Sequence, residues 1–335
     1  MSKCVRFNMN KKDSEQTKDA KLTEKIHTTA IAIEPNDQYG ASYLKTGIMH
    51  GIMFEMKILT WVTWKLMCQS DPKIGRWWLA TEVSKARGFH DLVLKYIPHN
   101  TEADGSTSET KYMYRFVQIR HKRSLQKHAH ITSYYLTSTN KFHRQGSLIY
   151  LFKSYVNMLG NFENITSDQI ADLTIFTNMD INAFSFLVPV NNDKLYGFEG
   201  KGKRYHIDIK ILQKEPGIII QLYNIKNDEK IIFDFLKKLV FMVCQPSEHE
   251  MEKLIVEEMR KTFNVPQIFY DNLYKNIIDW FLIYDDGKAP YLTENDVTKY
   301  LKETEATLEK AKETKTYVGS SSVSKLSKKL RLLSL

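Results

Sequence analysis

Thiols are scarce: the three cysteines, Cys4, Cys68 and Cys244, stand far apart in 335 residues. There is neither CxxC spacing nor an even number for pairing, which argues for a reducing compartment and against a zinc site made of thiolates. Long apolar runs are missing too. The longest candidate, GIMFEMKILTWVTWKLM, contains Glu55, Lys57 and Lys65, so it falls short of the roughly 20 apolar residues a membrane span needs. The opening MSKCVRFNMNKKDSEQTKD has no apolar core of the secretory kind. No internal repeat is present. These absences set the expectation of an intracellular chain, in the cytoplasm or nucleus, with no membrane partner.

What is present suits a folded α/β protein. The 42% hydrophobic and 12% aromatic content is enough for a core and excludes a disordered chain. A net charge of +9 and a pI near 9.1 are a modest basic excess that suits an anionic partner, DNA or RNA, without singling one out, since many basic proteins bind no nucleic acid.

Residues 1–39 are polar, charged and aperiodic, and are expected to form a mobile arm. From Ser42 to Cys68, Leu44, Ile48, Ile52, Leu59, Val62 and Leu66 recur at helical spacing, and the spacing predicts a long, mostly buried helix ended by SDPKIG. Strands are expected at 76–83, 89–97 and 111–122, a helix at 147–159 and a further strand at 173–178. YHIDIKIL and GIIIQLYN read as strand-like. EKIIFDFLKKLVFMV, SEHEMEKLIVEEMRKTF and DNLYKNIIDWFLIY read as helices, and Thr293 offers an N-cap for a last one. The organisation expected is an α/β domain over 40–182, a mixed, mainly helical domain over 183–312 that offers a surface for a protein partner, and a basic, Ser-rich tail over 313–335.

Within FVQIRHKR (116–123), Gln118, Arg120 and Lys122 fall two apart, so a strand projects all three to one side. Phosphodiester hydrolysis uses divalent cations held by carboxylate oxygens, with a cation to steady the developing charge. Two carboxylates are in position to join that row. Glu55 lies on or beside the apolar face of the long helix, where an uncompensated charge is expensive. Asp91 opens the second strand, after Gly88, Phe89 and His90. The plain alternatives are a solvated polar row, a marginal ion pair and a turn residue. His121, His128 and His130 suit a basic surface better than a zinc site. Trp61, Trp64, Trp77 and Trp78 are packing residues before they are a base-stacking platform.

The order Glu55 in GIMFEMKIL, Asp91 in GFHDLVLKY, then Gln118 and Arg120 in RFVQIRHK resembles the PD-(D/E)XK nuclease superfamily, the restriction-endonuclease-like fold. WWLATEV is similar to the LATE segment of a divergent, arthropod-type branch, which makes Glu82 a further candidate acidic group, with a structural role weighed ahead of it. The resemblance covers about residues 40–182. It implies Mg²⁺ or Mn²⁺ ligated by Glu55 and Asp91 with a carbonyl oxygen from Gln118, and a scissile phosphate held by Arg120 and Lys122. The family's lysine is replaced here by Arg120, which is permanently charged and cannot act as a base; Lys122 or Lys57 would have to supply an amine. Two functions follow as expectations: a metal-dependent nuclease weakened by that replacement, or a catalytically inactive nuclease fold that binds nucleic acid or a protein.

Overall fold

Apolar periodicity sets the first element. The computed structural model of the protein describes residues 44, 48–68, 71, 73–99, 111–122, 130–138, 146–182, 184–190 and 201–317. It begins with helix α1 (Met49–Met67), whose residues from Phe54 to Leu66 are buried almost all round. The three expected strands follow as an antiparallel meander: β1 (Ile74–Ala80), β2 (Leu92–Pro98) and β3 (Met113–Arg120). After β4 (His130–Ile131) and α2 (Ser133–Thr137), Ser147 caps α3 (Leu148–Asn161) by accepting the Tyr150 N–H. Then come β5 (Ile170–Thr177), parallel to β3, and β6 (Asp180–Ile181), which pairs with β4 in a small separate sheet.

The later half is β7 (Leu187–Pro189), β8 (Lys203–Ile207), α4 (Ile209–Leu212), α5 (Pro216–Ile225), α6 (Glu229–Lys238), β9 (Leu239–Val243), α7 (Glu248–Met259), α8 (Pro266–Phe281), β10 (Leu292–Thr293) and α9 (Glu294–Tyr317). The main sheet is mixed and eight-stranded, in the order β10-β1-β2-β3-β5-β9-β8-β7. Residue 182, where the sequence marks off a second domain, falls between β6 and β7. Strands from before and after it share the sheet, and β10 returns to pair with β1. The described residues all belong to one compact unit that starts at Ser42. The expected arm over 1–39 lies outside the described residues, as does the tail beyond Tyr317.

Three segments differ from their sequence reading. GIIIQLYN is helix α5, because Pro216 starts a helical turn and Ile218 and Leu222, four apart, are its buried positions. YHIDIKIL divides at Asp208, which ends β8 and caps α4 through the N–H groups of Lys210 and Ile211. EKIIFDFLKKLVFMV is helix only to Lys238; LVFMV becomes β9, buried along its whole length. An uninterrupted apolar run has no period to separate a buried helix from a central strand. The last helix starts as expected. Thr293 N–H and Oγ1–H donate to Asp296 Oδ2 at 2.9 and 2.6 Å, and the Asp296 N–H returns to Thr293 Oγ1 at 3.4 Å.

The sheet separates two cores. Helices α1, α7 and α8 cover one face, where Val117 and Ile119 of β3 point; α3, α5 and α6 cover the other, where Tyr114 and Phe116 point. That alternation puts Gln118 and Arg120 on the α3 side, at the end of β3.

Candidate functional site

The connection from β1 to β2 builds the site. Glu82 follows β1 in a left-handed conformation (φ 51°), and a tight turn over Ser84–Phe89 carries the chain back, with the Val83 N–H bonded to the His90 carbonyl at 3.1 Å. Gly88 allows the turn to lie against α3: a Cβ there would stand 2.7 Å from the Tyr150 ring and 2.8 Å from Ser154 Oγ, which accepts the Gly88 N–H at 3.2 Å. His90 and Asp91 are thereby delivered side by side at the start of β2.

Asp91 is 5% exposed and compensated by its neighbours. Its Oδ2 accepts the Ile119 N–H at 2.5 Å and the Gln118 side-chain amide, while Oδ1 lies 2.9 Å from His90 Nδ1. Glu82 Oε2 is 3.3 Å from the same nitrogen. One ligand atom from each of Glu82, His90 and Asp91 falls within 4.8 Å of the others, which is metal-cluster spacing. The Asp91 carboxylate, then that of Glu82, hold the His90 proton against desolvation and push its pKa up to about 10; the same contact with His90 lowers Glu82.

Glu55 enters from α1. Burial, then the charges of Asp91 and Glu82, raise its carboxyl to about 8, while His90 and Arg120 pull in the other direction. Its ionisation is therefore coupled to the connection between β1 and β2 and to Arg120 at the end of β3. Arg120, two residues after Gln118, lines a small cavity with it, together with Ile131, Tyr135, Ile175 and Met179.

Of the five residues singled out in the sequence, Asp91 and Gln118 touch, Glu55 lies within electrostatic reach of Asp91 and of Arg120, and Arg120 shares a cavity wall with Gln118. Lys122 differs. β3 ends at Arg120, so the pleat does not carry Lys122 onto the same row; its backbone is pinned at both polar atoms by Asn178 and its side chain is exposed. Lys57 is corrected as a substitute amine, because it is turned toward α7, 2.7 Å from Glu252 and 3.8 Å from Glu248. His121 stacks on Phe54 at 4.4 Å, with burial lowering its pKa, and His128 lies outside the described residues.

Sequence reasoning passed over His90 and ranked Glu82 low. The adjacency of His90 to Asp91 in GFHD was the available signal. For Glu82 nothing in local spacing shows that its left-handed backbone bends the side chain back to His90. No protein-family model matches the chain, and the curated proteins contain none that is significantly similar to it.

Proposed function

We propose that the chain is a metal-dependent phosphodiester hydrolase of the PD-(D/E)XK kind, acting on nucleic acid at the cluster formed by Glu55, Glu82, Asp91, Gln118 and Arg120. The convergence of three carboxylates and a strand amide at the mouth of the β1–β2 turn carries the reading. The order of elements supports it: a helix with Glu55, an antiparallel meander with Asp91 and Gln118, a helix, then a strand parallel to β3.

The donor set fits Mg²⁺ or Mn²⁺. Hard carboxylate oxygens predominate, and the Gln118 amide offers a carbonyl oxygen once its O and N are exchanged by rotation. Bound there, such an ion supplies Lewis acidity and a water of lowered pKa. Asp91 is oriented for this by the Ile119 N–H, which fixes one oxygen. To hold the ion, Glu55 would give its proton to solvent and become a carboxylate, and His90 would release to solvent the proton that Asp91 and Glu82 hold on it. Arg120 grips a non-bridging phosphate oxygen and balances the charge that develops there.

The test is a cleavage assay with Mg²⁺ and Mn²⁺ on single- and double-stranded DNA and RNA, beside an Asp91→Ala control. Cleavage that disappears in the control is the expected outcome; cleavage of equal rate in both would overturn the assignment. A second reading, a nuclease fold that binds without cutting, is favoured by one observation. Arg120 replaces the family's lysine, and Lys57 is committed to α7. It predicts no cleavage, together with affinity that falls as salt rises.

A further inference from the structure

The sheet face that holds Gln118 continues back along β3 to Tyr114. Tyr114 is paired with Lys95 of β2, Lys95 with Trp78 of β1, and Trp78 with Thr293 of β10. Directly paired residues project to the same side, so Trp78, Lys95 and Tyr114 form a row across three strands on the face of the candidate site. The row lies about 13 Å from Gln118, the length of four strand residues.

An aromatic and cationic group surrounds the row. The Arg76 guanidinium lies over the Trp78 ring, 5.2 Å from its centroid, and Trp78 meets Tyr112 edge-on at 5.8 Å and 71°. Lys95 Nζ is 4.5 Å from the Tyr112 centroid and 5.7 Å from those of Tyr114 and Tyr291. Glu163 locks this arrangement from beneath, accepting from Lys95 at 3.0 Å, from Tyr114 at 2.8 Å and from Tyr291 at 2.7 Å. The acid accounts for Lys95, which is a structural brace. It does not account for Arg76 and Trp78.

Trp61, Trp64, Trp77 and Trp280 are all at most 6% exposed and belong to the α1-side core. Trp78 is half-buried and belongs to neither core, and Arg76 beside it is exposed. A large ring outside both cores, with its orientation fixed by Tyr112 and a guanidinium at its face, is the arrangement that stacks an unpaired base and holds the adjoining phosphate. A duplex keeps its base faces stacked and would offer this surface phosphates alone. An acidic peptide would meet Arg76 but would leave the ring faces unused.

We propose that Arg76, Trp78 and Tyr112 form an anchoring surface for single-stranded nucleic acid, with a base on Trp78 and a phosphate on Arg76. Resting on the hydrolase reading, this names the substrate class of that site: a single strand held upstream or downstream of the scissile bond.

The experiment uses the full chain in EDTA, with labelled oligo(dT) and oligo(U), the matching duplexes, and polyglutamate as competitor. Anisotropy gives affinity and intrinsic tryptophan emission reports the ring. Single strands are expected to quench the emission, with Trp78→Ala weakening single-strand affinity about tenfold or more and leaving duplex affinity within about twofold. Trp78→Phe, which keeps a stacking ring, retains most of the affinity and loses the quench. Equal loss for single strands and duplexes, or no loss in Trp78→Ala, overturns the proposal, as does polyglutamate binding that depends on Trp78. Asp91→Ala, measured alongside, keeps the quench. If wild type fails to cleave while the quench and the Trp78 dependence hold, the hydrolase reading fails alone; if cleavage holds and the Trp78 dependence is absent, the anchor fails alone.

Discussion

β3 carries charge at both ends, and the two ends are built differently. Near its beginning Arg115 lies between two acids, with Nη2 3.1 Å from Asp71 and Nε 3.1 Å from Asp172, and Thr174 donates to the other Asp172 oxygen. All three charged side chains are at most 9% exposed. At its end, Gln118 touches Asp91, Arg120 acts electrostatically on Glu55, and the Glu82 and His90 side chains beside them are 51% and 36% exposed. The buried cluster uses a guanidinium, which keeps its charge at any ordinary pH. The open cluster uses His90, whose charge depends on carboxylates holding its proton. The sealed set, whose one cation is a guanidinium, braces the sheet; the open set adds to Arg120 a second cation, His90, whose proton is removable, and in the proposed hydrolase that proton would give way to a metal ion.

Exchanging one residue at each end is the strongest way to break this comparison. Asp91→Asn is expected to reduce Mn²⁺-dependent cleavage a hundredfold or more, since an ion-holding carboxylate is worth several kcal/mol in the transition state. It should also lower the thermal midpoint at neutral pH, because it removes the main partner of the His90 proton. Arg115→Met leaves Asp71 and Asp172 buried without their guanidinium, and should lower stability by about 3–5 kcal/mol. Cleavage per folded molecule should be unchanged. Chemical denaturation read beside turnover separates the two effects; a cleavage loss in Arg115→Met as large as in Asp91→Asn would show that the brace and the site are not independent.

The two ends were unequally legible. Polar residues at alternate positions of β3 and a carboxylate at the start of β2 announce the open cluster, since strand period puts Gln118 and Arg120 on one face, and the pairing register Leu92 to Val117 then brings Asp91 to Gln118. The helical spacing of α1 was enough to keep Glu55 near an apolar face. Glu82 and His90 depend on backbone at φ 51° and on a turn that fits only because Gly88 has no side chain, and neither is a periodic signal. The buried cluster was illegible for a different reason: Asp71, Arg115 and Asp172 are separated by more than forty residues at each step, and only the meander and the parallel return of β5 join them. β9 was misread because LVFMV, an apolar run without polar interruption, carries no period, and α5 because three consecutive β-branched residues, Ile218, Ile219 and Ile220, favour a strand locally.

Acidity sharpens the contrast next. Glu55 is raised to about 8 when folded, so its burial opposes folding wherever the unfolded carboxyl is ionised: the cost is absent below about 4.5, grows as pH rises to about 8 and is constant beyond. Glu55→Gln should therefore stabilise the protein at about pH 9 and leave it unchanged near pH 4. His90 has the opposite sign, its stabilising contribution being complete below the ordinary histidine value of 6.5 and lost as pH rises through about 10. In the proposed hydrolase both protons would compete with the metal ion. The rise in thermal midpoint with Mn²⁺, on the scale of about 2.7 kcal/mol at a hundredfold excess over Kd, should be larger at about pH 9 than at about pH 6. A midpoint that ignores Mn²⁺ at both pH values, or responds equally in Asp91→Asn, would remove the distinction between an open and a sealed cluster.

The smallest expected effect concerns Arg120. An arginine there holds phosphate through a planar, permanently charged fork, whereas lysine places a compact ammonium closer to an attacking water. Arg120→Lys should leave the Mn²⁺ response intact, because the ligand oxygens are untouched, and should raise the cleavage rate by no more than about tenfold, the scale of an improved positioning contact. Arg120→Ala should lower that rate by a similar factor, since the phosphate loses its charge-assisted partner. The pair of variants discriminates in a way that neither does alone. A gain with lysine and a loss with alanine identify a cation that acts on the reacting phosphate and is suboptimal for it. A loss in both identifies a bidentate grip for which arginine is the better residue. Equal rates in all three proteins would place the side chain in the wall of the cavity it shares with Ile131, Tyr135 and Ile175, as packing beside the carboxylates and not as part of the chemistry.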